Sequence, residues 1–147
     1  MATLTYLTTT HFDFGAIQKL PAELGRAGIS KPLIATDKGV RSAGLVEAVT
    51  GAIGGDMAIS IFDETPGNPT EAAVFKAFDQ YTSDGCNGVV AIGGGSSMDL
   101  GKAVALLAGS GGPLDQYDPL AGGAKRVQSV APLIAVPTTS GTGSEVS

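Results

Sequence analysis

The chain alternates short apolar runs with longer stretches in which apolar residues recur every three or four positions. Leu33-Ile34-Ala35-Thr36, closed by Asp37-Lys38-Gly39, is the first run. Met57 to Phe62, Gly88-Val89-Val90-Ala91-Ile92 and Leu133-Ile134-Ala135-Val136 follow, the last stopped by Pro137. Residues apolar at consecutive positions suit strands covered on both faces, as in a parallel sheet, because a strand with one wet face would alternate. Between the runs, Ile17, Leu20, Leu24 and Ala27 share one helical face, with Pro21 tolerated only in a first turn. Leu45, Val46, Val49 and Ile53 form a second helical set. Val74, Phe75, Phe78 and Tyr81 form a third, with Thr70 placed to cap it. Ser96 to Ala108 is apolar nearly all round and predicts a deeply packed helix. Strands alternating with helices predict a doubly wound α/β fold around a mainly parallel sheet. Thr3 to Thr10 alternates weakly and predicts an edge strand. Ser110 to Ala131, rich in Gly, Pro and Asp, predicts an irregular excursion.

Composition narrows the function classes. A length of 147 residues is one ordinary domain, large enough to hold a core without disulfides. The net charge is −5 and the Lys and Arg residues are scattered, so the basic stripe that phosphate backbones require is missing, and nucleic acid is excluded as a partner. The longest apolar stretches, such as Ala103 to Ala108, are too short to span a membrane. The segment Met1-Ala2-Thr3-Leu4 has neither the basic nor the apolar part of a secretion signal, and Cys86, the one cysteine, has no internal partner. These features together predict a cytoplasmic protein. Glycine is the anomaly: 22 residues, clustered at turns rather than in a repeat.

The densest cluster follows the third apolar run. Gly93-Gly94-Gly95-Ser96-Ser97-Met98-Asp99 leaves a strand and opens a helix. Glycines turn sharply and leave no Cβ in a ligand's way. Ser96 is placed to cap the helix, with Asp99 at the capping-box position. Free N–H groups and the helix dipole would then favour an anion such as a pyrophosphate, although a plain strand-to-helix turn accounts for the same residues. A dinucleotide fingerprint would need glycine at Met98, and a P-loop would need glycine at Ser96 and Ser or Thr at Ala103.

Gly93 to Asp99, continued by Gly101-Lys102-Ala103, resembles the GGGSxxDxxK stretch of the iron-containing (metal-dependent) alcohol dehydrogenases. Pro137-Thr138-Thr139-Ser140-Gly141-Thr142-Gly143-Ser144-Glu145 is similar to their second signature, PTTxGTGSE, in the same order and spacing. Phe14-Gly15, Ala35-Thr36-Asp37-Lys38-Gly39 and Asn68-Pro69-Thr70 extend the resemblance over essentially the whole chain. It implies a dehydroquinate-synthase-like architecture in which residues 1–147 form the NAD(P)-binding α/β domain. The all-helical domain that binds iron or zinc would lie beyond Ser147, with the family's Asp and three His ligands. His11 is this chain's only histidine, and a structural or solvent-exposed place suits it better than metal binding, which needs several ligands.

By the same resemblance, Asp37 would hydrogen-bond the adenosine ribose and Asn68 would sit beside the adenosine. Gly94, Gly95, Ser96, Ser97 and Asp99 would line the dinucleotide and its pyrophosphate, and Thr138, Thr139 and Thr142 would reach the pyrophosphate and nicotinamide side. Two plainer readings stand beside these: Asp37 as the cap of a helix beginning at Gly39, and the Thr-rich segment as a turn bonded to its own backbone. The implied reaction is hydride transfer between an alcohol or carbonyl substrate and NAD, with NADP disfavoured by Asp37. No residue of this chain is a catalytic acid, base or nucleophile, so residues 1–147 alone are expected to be inactive. A homodimer or larger homo-oligomer is expected. Glycerol dehydrogenase and dehydroquinate synthase share the fold and are the alternative enzymes; a standalone nucleotide-binding module is the non-catalytic alternative.

Overall fold

In the computed structural model, which describes residues 8–147, the apolar runs become four parallel strands: β1 (Pro32–Ala35), β2 (Ser60–Phe62), β3 (Gly88–Gly93) and β4 (Leu133–Pro137). Their order across the sheet is β2-β1-β3-β4. β1 and β3 are buried at every position, which is why they read as uninterrupted apolar runs. Successive side chains leave a strand on opposite faces, and the two faces build two cores. Leu33, Ala35 and Val89 meet α4 (Glu71–Ser83) and α5 (Gly95–Ser110) through Val74, Ala77, Leu100 and Val104. Ile34, Val90 and Ile92 meet α1 (Leu20–Ala27) and α3 (Leu45–Ile53) through Leu20, Leu24, Val46 and Val49. The fold is a doubly wound α/β sheet.

The helix boundaries follow local chemistry. Pro21 lies in the first turn of α1, where its missing N–H leaves no bond unmade. Thr70 caps α4, its Oγ1 accepting from the Ala73 amide at 3.3 Å. At the entrance to the sheet, Asn87 ties β1 to β3. Its Oδ1 accepts from the Ser30 and Lys31 amides (3.0 and 2.9 Å) while its Nδ2 donates to the Gly28 carbonyl at 3.0 Å.

Three expectations change. The run from Met57 to Phe62 yields a strand only over Ser60–Phe62, paired with Leu33 to Ala35. Upstream of Leu33 stands Pro32, which has no N–H to extend that ladder, and Met57 and Ile59 pack instead beside α1 and α3 as partly buried residues. The edge strand expected over Thr3 to Thr10 falls mostly on residues outside the described ones, and Thr8, Thr9 and Thr10 are not in a strand. The excursion from Ser110 to Ala131 is irregular but not structureless: short 3-10 turns occupy Leu114–Tyr117, Pro119–Ala121 and Gly123–Arg126. Ser110 Oγ anchors its return, accepting from the Gln128 and Ser129 amides at 3.1 Å each. Among the described residues no helix is long and apolar enough to cross a membrane.

Candidate functional site: a cleft at the carboxyl edge of the sheet

From β1 the chain passes outward to β2, then returns past β1 to begin β3 on its other side. The connections leaving β1 and β3 therefore diverge, and a crevice opens between them at the carboxyl ends of the strands. A cleft of about 690 Å³ occupies this place. It is lined by residues 37–40 after β1, 63–67 after β2, 94–97 after β3, and Thr138 and Thr139 after β4.

Asp37 is the N-cap of α2 (Lys38–Ser42), with extended backbone and with Oδ1 accepting from the Val40 amide at 2.9 Å. Its other oxygen, Oδ2, accepts from Ser97 Oγ at 3.4 Å. The helix starts at Lys38 rather than Gly39, and capping does not remove the carboxylate from the cleft. That contact to Ser97 joins the turn after β1 to the glycine-rich turn 60 residues later.

The glycine-rich turn differs from the capping box expected of it. Gly94, not Ser96, is the N-cap of α5, and no side chain among the described residues caps that helix. The turn closes early because Gly93 adopts φ 146°, where a Cβ would also stand 2.6 Å from Ser97 Oγ. Ser96 thus falls inside the first turn and its Oγ donates to the Gly67 carbonyl at 2.6 Å. Asp99 pairs with Lys102 at 3.0 Å on the helix surface. The first turn of α5 presents amides of Gly95, Ser96 and Ser97 that the helix itself leaves without partners, at the positive end of a 16-residue dipole. An anion suits that position.

The second Gly- and Thr-rich segment closes over the first. The Thr138 amide donates to the Gly93 carbonyl at 2.8 Å. A Cβ on Gly94 would stand 3.3 Å from Thr139 Oγ1, and one on Gly95 would stand 3.4 Å from Thr142 Cβ, so the glycines admit the threonines. Thr142 Oγ1 accepts from the Ser144 amide at 3.3 Å, the local turn bond that the plainer reading expects.

The structure therefore gathers Asp37, Gly94, Gly95, Ser96, Ser97, Thr138 and Thr139 around one cleft. It does not bring Asn68, Asp99 or Thr142 to its lining. Asn68 is exposed beside Gly67, Thr142 packs behind Gly95, and Asp99 lines a separate groove with Thr70, Glu71 and Asp115. Residues 63–67 were missed. The signal for them was the end of the second apolar run, since whatever follows a parallel strand arrives at the same edge of the sheet. Two carboxylates there are ion-paired, Asp63 with Arg41 at 2.5 Å and Glu64 with Lys76 at 2.6 Å.

Residues 8–147 match the family model of the iron-containing alcohol dehydrogenases. The chain belongs to the iron-containing alcohol dehydrogenase family. Its relatives in that family include the 4-hydroxybutyrate dehydrogenase of Cupriavidus necator, 54% identical over 147 residues, which cover 99% of this chain and 38% of that protein. The NAD-dependent methanol dehydrogenase of Bacillus methanolicus is 36% identical over 133 residues, 89% of this chain and 34% of that one. Among solved structures, a 1,3-propanediol oxidoreductase superimposes with a TM-score of 0.85 at 29% identity, over 99% of this chain and 38% of that one. The sulfoacetaldehyde reductase of Bifidobacterium kashiwanohense, solved in complex with NAD+, gives 0.83 at 27% identity, over 100% and 38%. The chain thus spans little more than a third of the length of these family members. Among the described residues no group of three or more His, Cys, Asp or Glu side chains could hold a metal ion.

Proposed function

We propose that residues 1–147 are the dinucleotide-binding part of an NAD-dependent alcohol dehydrogenase. The observation that carries this reading is the convergence of Asp37 and the uncapped first turn of α5 on one cleft, tied together by Ser97. The pyrophosphate would lie at the amides of Gly95, Ser96 and Ser97, where partial positive charge is fixed in place before any ligand arrives. Thr138 and Thr139, which line the cleft next to that turn, would supply hydroxyls. Asp37 would accept hydrogen bonds from the ribose hydroxyls, and its charge would repel the 2′-phosphate of NADP. Glu64 and Asp63 have cationic partners and contribute less of that repulsion.

When bound, the nicotinamide ring supplies the hydride acceptor, so that an alcohol carbon is oxidised to a carbonyl as a proton is released. The chain's own contribution is position: it fixes the dinucleotide on a rigid sheet edge, which lowers the entropic cost of meeting the substrate. The substrate is a small alcohol or carbonyl compound. The reading is tested by calorimetric titration of the protein with NAD, ADP-ribose and NADP. We expect NAD and ADP-ribose to bind and NADP to bind at least about tenfold more weakly. Absence of binding by both NAD and ADP-ribose would remove the reading.

A further inference from the structure

Resting on that reading, we infer that Ser97 is a positioning residue: its side-chain hydroxyl holds the Asp37 carboxylate in the orientation that receives the ribose, and through Asp37 it sets the preference for NAD over NADP.

Ser97 lies in the first turn of α5 and is only 1% exposed. A hydroxyl buried so deeply has no bulk water to bond and needs an acceptor within the protein. Among the described residues that acceptor is Asp37 Oδ2, at 3.4 Å. The direction is fixed, since a carboxylate can only accept. Gly93 leaves the room for this contact: a Cβ there would stand 2.6 Å from Ser97 Oγ and 3.6 Å from Asp37 Oδ2. Ser97 thus has two separate parts to play. Its amide belongs to the turn that receives the anion, whereas its hydroxyl bonds to another residue of the protein.

The second contact changes what Asp37 can do. Oδ1 already accepts from the Val40 amide at 2.9 Å. One such bond leaves a carboxylate free to swing about it. A bond to the other oxygen, from a different element, fixes the plane of the group. Each carboxylate oxygen carries about two acceptor positions. One on each is used inside the protein, and one on each is left for the two hydroxyls of a ribose. A carboxylate held in that plane loses little freedom when the ribose arrives, and its charge stays where a 2′-phosphate would come. A released carboxylate can turn away from that phosphate, and discrimination weakens.

The test is a double-mutant cycle read by calorimetric titration with NAD and NADP. In Ser97→Ala the ratio of NAD to NADP affinity should fall about threefold, the effect of one long hydrogen bond to a charged group. Ser97→Cys, which fills the space but donates only weakly, should lower the ratio as well. In the Asp37→Gly background, Ser97→Ala should change the ratio by less than about 1.5-fold, because the group it positions is gone. A Ser97 that serves only the fold would weaken both cofactors equally, and would do so in either background. That result, or an unchanged ratio in Ser97→Ala, would overturn the inference while leaving the dinucleotide reading intact. Failure of both Ser97 variants to fold would show that the hydroxyl serves the fold, and would overturn it equally. A parent protein that binds neither NAD nor ADP-ribose would overturn both.

Discussion

Single side chains carry the selectivity proposed for this cleft, and Asp37 carries most of it. Replacing Asp37 by glycine removes both the ribose acceptor and the charge facing a 2′-phosphate. The preference for NAD over NADP should fall by at least about tenfold, or some 1.4 kcal/mol. Titration of both cofactors checks this, and an unchanged ratio would show that the carboxylate serves only α2, whose Val40 amide it caps. Cys86 makes a different kind of prediction. Burial, reinforced by nearby Asp84, pushes its thiol above the ordinary value of 9.0, against smaller opposing effects of Lys31 and Ser60. The folded protein therefore keeps a proton that the unfolded chain has lost, so this contribution is intact below the ordinary range and fades as pH rises through it. The urea midpoint of the parent protein should fall more steeply between about pH 7 and about pH 10 than that of Cys86→Ala. Parallel slopes would contradict it. At this scale the sequence was informative where a charged residue ends an apolar run, as Asp37 does after Leu33 to Thr36, and the structure brings that residue to the cleft. It was silent on residues 63–67, which reach the cleft because β2 lies beside β1 in the sheet, an adjacency that no single letter conveys.

Among the elements, α5 depends most on what is absent from it. Gly101 lies in the middle of that helix, where glycine weakens helical structure. A Cβ there would stand 2.8 Å from Ala91 Cβ and 3.3 Å from Val89 Cγ1, so the glycine lets the helix sit close on β3. Gly101→Ala should destabilise the protein by roughly 1–3 kcal/mol despite alanine's better propensity, because neither neighbour can swing aside. Denaturant unfolding decides the sign, and a stabilised variant would mean that the helix can lift freely. Thr70→Ala should cost about 1 kcal/mol by uncapping α4. The helices were legible because their spacing and caps are local properties of the chain. The start of α5 was not. Ser96 looked like the cap, yet three consecutive glycines allowed the turn to finish sooner, a conformational freedom with no periodicity to reveal it. The shortened β2 was hidden for a related reason: its length is set by Pro32 on the neighbouring strand.

For the molecule as a whole, the doubly wound class was readable from alternating runs, but the strand order was not, since nothing in one segment names its neighbour. β4 is an outer strand, and its residues from Leu133 to Val136 are only partly buried. Phe12, Phe14 and Leu120 are almost wholly exposed. An open edge and exposed apolar side chains each favour pairing with another chain, so a protein of residues 1–147 should self-associate, and sedimentation showing only monomer at high concentration would refute this. The strand order has one more consequence, for the nascent chain. β1 lies inside the sheet, and the Asn87 contacts that fasten it beside β3 bridge sequence separations of 56 and 57. During synthesis Leu33 and Ile34 must wait for β3 to emerge before they are covered on both sides. Folding of such a sheet is governed by distant pairings and is correspondingly slow, and for that interval the most apolar part of the molecule is available to chaperones.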